Sequence, residues 1–77
     1  MFIVYILHSE KLNKYYCGQT QNMEHRLLQH NSGQGNYTSK GMPWVKIIDF
    51  KCLDRAEAMS LERKIKKRGI ERYLSDK

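Results

Sequence analysis

Cysteine, proline and acidic residues are all scarce in this 77-residue chain: two Cys, one Pro, and eight Asp and Glu against fourteen Lys and Arg. Cys17 and Cys52 form no C-x-x-C and have no pair of histidines at ligand spacing, which argues against a zinc site or a disulfide framework. They read as reduced packing residues of a cytoplasmic protein. No apolar run is long. FIVYIL at 2–7 lacks a basic leader and is far too short for a signal peptide or a membrane span, so no membrane is expected. There is no repeat or low-complexity tract, and domains of about 100 to 150 residues are typical, so 1–77 reads as one small domain. A net stability of about 4 to 12 kcal/mol leaves little room for buried strain, so a functional site is expected at the surface.

The basic excess gives a net charge of +6. It is uneven, with four basic and two acidic residues in 1–45 but ten and six in 46–77. RKIKKR at 63–68 is the densest run. It suits a polyanion such as nucleic acid and, less well, an anionic membrane surface; a solvated helix end would show the same run.

The order of elements follows from local pattern. FIVYIL is apolar, β-branched and aromatic throughout, as in a strand buried on both faces. SEKLN at 9–13 breaks it, and KYYCGQ pairs back as the second arm of a hairpin with a loop of four to five residues. Alternation then sends Tyr15 and Tyr16 to opposite faces, one of them toward the core. A helix follows over 20–33, with Thr20 or Asn22 as its cap, Glu24 in its first turn and Asn31 to Gly33 as its stop. Met23 and Leu27 share one of its faces; Arg26 and His30, four apart, share another. The three glycines and one proline of 33–43 mark a long loop. WVKIIDFKC at 44–52 is the third strand. Asp54 and Glu57 form a D-x-x-E capping box for a helix over 55–68, with Ala58, Leu61 and Ile65 as its apolar stripe. Gly69 is placed as the αL residue after it, and IERYLSDK adds one short turn. The fold class is thus α/β, more narrowly α+β: a three-stranded antiparallel sheet flanked by helices, ordered β-β-α-β-α with a short C-terminal helix.

IVY at 3–5, YCG at 16–18, Arg26 and His30 on the first helix and Glu62 on the second together resemble the small stand-alone, UPF0213-like members of the GIY-YIG nuclease superfamily. The resemblance runs from Ile3 to about Lys67. Ile3 stands where the first tripeptide usually has glycine, and Cys17 where the second usually has isoleucine. The late asparagine of larger members has no counterpart, because Asn13, Asn22, Asn31 and Asn36 all precede Glu62. The resemblance implies a metal-dependent endonuclease acting on DNA, with Tyr5, Tyr16, Arg26, His30 and Glu62 converging on one phosphodiester. No target-selecting domain lies within these residues, so specificity is expected to be weak, structure-selective or lent by a protein partner.

Each residue type suits its implied role. Tyr5, the implied general base, has an ordinary pKa of about 10 and so only roughly 0.1% phenolate at pH 7; it needs a nearby cation or a concerted proton transfer. Arg26 can supply that field and also clamp phosphate oxygens with its planar fork. Glu62, a lone carboxylate, suits one Mg²⁺ (or Mn²⁺) that keeps most of its waters and takes the phosphate as a ligand. Tyr16 orients phosphate or water, and His30 hydrogen-bonds Tyr5 or shares the proton. Gly18 lets the nucleic-acid backbone approach or lets the chain turn tightly. Lys40, Arg63, Lys66 and Lys67 are the expected phosphate contacts. Glu62 beside Lys66 also reads as an ordinary surface ion pair. Two other functions use the same features: a nucleic-acid-binding module with the fold but no activity, and an adaptor whose basic helix docks on an acidic partner.

Overall fold

A computed structural model describes residues 1–32 and 38–76. Three strands, β1 (Phe2–Ser9), β2 (Lys14–Thr20) and β3 (Trp44–Cys52), form one antiparallel sheet with β1 in the middle, ordered β2-β1-β3. The middle place explains the continuous apolar run of β1: Val4, Tyr5, Ile6 and Leu7 are all buried because both faces of this strand are covered.

Alternation divides the sheet into two cores. Val4, Ile6 and Cys17 pack with Cys52, Ala58 and Ile65 on the face covered by α2 (Arg55–Arg68) and α3 (Ile70–Ser75). Tyr5, Leu7 and Trp44 pack with Tyr16, Met23 and Leu27 on the face covered by α1 (Met23–His30). The adjacent tyrosines separate as expected, Tyr15 joining the first core and Tyr16 the second.

Local chemistry ends each element. The hairpin closes at Ser9 and Lys14 with Asn13 at φ 53, a left-handed angle that asparagine tolerates. Ser9 is fully buried; its hydroxyl donates to the Gly41 carbonyl at 2.7 Å and accepts from the Leu12 N–H at 3.1 Å. Asn22, rather than Thr20, caps α1, taking the His25 N–H at 3.0 Å. Thr20 closes the turn before it by accepting the Asn22 N–H. Asp54 caps α2 through the Glu57 N–H at 2.8 Å. Burial, then the Glu57 carboxylate, raises the pKa of the Cys52 thiol. Gly69 ends α2 at φ 97 and ψ 127, a positive φ as expected of glycine but outside αL, and α3 starts immediately after it. Of the expected 33–43 loop, residues 33–37 lie outside the described residues; the rest contains a 3-10 turn (Thr38–Gly41) and a cis Met42–Pro43 bond. Among the described residues no helix is long and apolar enough to cross a membrane.

Candidate active site

The β1–β2 register sets Tyr5 opposite Gly18 and Leu7 opposite Tyr16. The Tyr5 ring leans over β2. A Cβ placed on Gly18 would come within 2.6 Å of the Tyr5 hydroxyl and 2.8 Å of its Cζ. Gly18 is buried in mid-strand, so neither a tight turn nor clearance for a nucleic-acid backbone accounts for it: the Tyr5 phenol fills the space a side chain would take.

From the other side α1 brings His30, the one buried residue of that helix, to Tyr5. The Tyr5 hydroxyl and His30 Nε2 are 3.0 Å apart. The Tyr16 ring completes the cluster at 5.1 Å from the imidazole and 6.3 Å from the Tyr5 ring. Burial, then the neighbouring Tyr16 phenol, pushes the Tyr5 pKa well above its ordinary value, and the opposing field of Arg26 does not overcome them. Of the two routes expected for Tyr5, a nearby cation or a concerted proton transfer, the field of Arg26 acts in the expected direction but is outweighed by burial. Burial, then Arg26, lowers the His30 pKa. Both partners are therefore neutral near pH 7. Since a phenol is the stronger donor and an imidazole nitrogen the stronger acceptor, Tyr5 donates to His30. The surface location expected for the site holds only in part: Tyr5 is 1% and His30 7% exposed, whereas Tyr16 and Arg26 are half-buried.

Two residues given no part in the site by the sequence, Asn31 and Trp44, hold this cluster. Asn31 accepts the Trp44 N–H at 2.6 Å and donates to the Trp44 carbonyl at 3.1 Å, tying the end of α1 to the start of β3. The Trp44 indole donates to the Thr38 carbonyl at 2.6 Å, and its ring meets Tyr16 edge-on at 6.1 Å. Asn31 directly follows His30, so this clamp also fixes the imidazole. An indole N–H in a buried strand needs an acceptor, and that need was the only local hint of it.

Glu62 arrives from the opposite face. Its helix packs under β2, an edge strand, and Glu62 shares a groove with Gln19, Met59, Arg63, Lys66 and Lys67. Because the Tyr5 ring leans toward that edge, the carboxylate is near enough for its charge to raise the Tyr5 phenol, and it helps hold the Cys17 thiol up at about 11, where burial is the larger cause. The surface pair with Lys66 also forms, at 2.6 Å. Arg63, Lys66 and Lys67 thus line the Glu62 groove, while exposed Lys40 sits in the 3-10 turn and is not among its residues.

Two tyrosine tripeptides side by side, with a histidine and an arginine above them and a carboxylate at the strand edge, define a pattern that can be compared. A family model described as the GIY-YIG catalytic domain matches residues 1–73. The chain belongs to the GIY-YIG family. In this GIY-YIG chain the two tripeptides, 3–5 on β1 and 16–18 on β2, lie on adjacent antiparallel strands and meet where Tyr5 pairs with Gly18. Similar proteins include a UPF0213 protein of Haloquadratum walsbyi, 38% identical over 52 residues, which are 66% of this chain and 58% of that protein. A UPF0213 protein of Bacillus licheniformis is 39% identical over 67 residues, 80% of this chain and 68% of its own. One of Clostridium perfringens is 40% identical over 68 residues, 87% and 72%. The matched part of this GIY-YIG chain thus spans less than two thirds of the first of these relatives. No solved structure matches it significantly.

Proposed function

We propose that this chain is a Mg²⁺-dependent endonuclease that hydrolyses phosphodiester bonds in DNA with structural or weak sequence selectivity. The observation that carries the reading is the buried 3.0 Å bond between Tyr5 and His30, set within the fields of Arg26 and Glu62. Hydrolysis needs a proton acceptor for water and a counter to charge on the phosphate. With Tyr5 neutral at rest, the transfer is concerted: the water oxygen bonds to phosphorus, its proton passes to the Tyr5 oxygen, and the proton of Tyr5 passes to His30 Nε2. The bond to the leaving oxygen breaks, and that oxygen takes a proton from solvent. Burial and Arg26 then drive the proton off His30, restoring the neutral pair. Arg26 and Tyr16, the half-buried members, meet the phosphate oxygens, and Arg63, Lys66, Lys67 and Lys40 hold the flanking backbone.

The donor set fits a hard cation. Among the described residues no group of three or more His, Cys, Asp or Glu is gathered; in this reading Glu62 alone supplies the carboxylate. That is the ligation Mg²⁺ accepts when substrate oxygens and water supply the rest. Bound there, Mg²⁺ (or Mn²⁺) would neutralise charge on the phosphate.

Purified protein incubated with branched, nicked and single-stranded DNA plus Mg²⁺ or Mn²⁺ should nick at least one substrate, and Glu62→Ala should not. Wild-type cleavage by Glu62→Ala, or no cleavage of any substrate, overturns the reading. A catalytically silent nucleic-acid-binding module is favoured by two observations, the 1% exposure of Tyr5 and the Lys66 ammonium already on Glu62. Salt-sensitive DNA binding that Glu62→Ala leaves intact, without cleavage by either form, identifies that case.

A further inference from the structure

The cations of α2 do not all face the Glu62 groove. Lys64, Lys67, Arg68 and Arg72 line a second recess between α2 and α3. Lys14, Lys66, Arg68 and Arg72, with Glu71 as the one acid among them, line a third, around the foot of β2. Lys67 belongs to both the Glu62 groove and the second recess, and Lys66 to both the groove and the third, so the three concavities form one continuous basic surface. Asp76 holds Arg68 at 2.8 and 3.2 Å. Among the described residues no carboxylate lies within ion-pair distance of Lys14, Lys64 or Arg72. The helix dipole accounts for Lys66, Lys67 and Arg68 at the end of α2. It does not account for Lys14, which the hairpin brings to the same surface.

We propose that this surface is a phosphate track along α2, holding a nucleic-acid strand beyond the cleaved bond, with Lys14, Lys64 and Arg72 as its distal contacts. The proposal rests on the nuclease reading and specifies its substrate as an extended strand rather than a short oligonucleotide. Six residues of helix separate Glu62 from Arg68, about 9 Å at roughly 1.5 Å each. One strand of a duplex carries two to three phosphates over such a length, at about 3.4 Å each. Continuity with the Glu62 groove favours a nucleic acid over an acidic peptide.

The test uses the Glu62→Ala protein, which is expected to bind without cutting, and labelled single-stranded and nicked duplex DNA between 0.05 and 0.5 M NaCl. Adding Lys14→Gln and Arg72→Gln should make the slope of log affinity against log salt shallower by about 1.4 on single strands or about 1.8 on duplex. That corresponds to roughly 25- to 60-fold weaker binding at 0.1 M for equal affinity at 1 M. Arg55→Gln, at the other end of α2, where the guanidinium lies 5.4 Å over the Phe2 ring, should leave the slope unchanged. An unaltered slope in the Lys14/Arg72 variant overturns the track but not the nuclease reading. Absence of all DNA binding in the Glu62→Ala parent overturns both. Displacement of DNA by polyglutamate at equal charge concentration assigns the surface to an acidic peptide and overturns the track.

Discussion

Gly18→Ala is the most direct probe of how this site is built. The added methyl would stand 2.6 Å from the Tyr5 hydroxyl, and an ordinary contact begins near 3.4 Å, so ring or strand must move by several tenths of an ångström. Neither moves freely: the ring is 1% exposed and its hydroxyl is tied to His30, while β2 is paired along its length to β1. Overpacking of this kind costs about 1 to 3 kcal/mol. Losing the Tyr5–His30 bond adds about 1 kcal/mol, and the better strand propensity of alanine returns about 0.5 to 1 kcal/mol. The net loss of about 1 to 3 kcal/mol lowers Tm by about 4 to 8 °C per kcal/mol in a domain of this size. Urea titration of the single variant, and of a cycle with Tyr5→Phe, measures it. Tyr5→Phe removes the 2.6 Å contact but leaves Cζ at 2.8 Å, so the cycle should show partial rescue. If Gly18→Ala unfolds within about 0.5 kcal/mol of wild type while weakening DNA binding, the glycine is clearing space for substrate and the packing account fails.

The remaining expectations concern protons and clamps. His30 titrates lower folded than unfolded, so its contribution is complete above the unfolded value of about 6.5 and is lost as pH falls through the folded one. Wild type should therefore lose urea stability as pH falls below about 6.5 by a margin that His30→Gln lacks; equal slopes would refute neutral burial. Because the Tyr5 pKa is raised, Tyr5→Phe should leave the 295 nm phenolate absorbance change near pH 10 undiminished, and a loss of one tyrosine equivalent there would contradict it. Asn31→Ala removes both bonds to the Trp44 backbone and should cost about 1 to 3 kcal/mol with a red shift of Trp44 fluorescence; unshifted emission would mean the clamp does not position the indole. Lys66→Gln breaks a pair whose lysine is half exposed, so stability should change by less than about 1 kcal/mol, and a larger loss would make the pair structural.

The sequence by itself determined the strands, the helices and their order, because β-branched and aromatic runs, the cap candidates Thr20 or Asn22 and Asp54, and Gly69 act within a few residues of themselves. It also bore the spacing of Tyr5, Tyr16, Arg26, His30 and Glu62. Only the tertiary structure decided what those residues do to one another. Burial is a property of the assembled sheet and α1, and it outweighs Arg26 at Tyr5, which no local pattern could weigh. The lean of the Tyr5 ring over Gly18, the grip of Asn31 on Trp44 and the arrival of Lys14 beside α2 each join residues far apart in the chain. Their distances exist only once β1 takes the central place and both of its faces are covered.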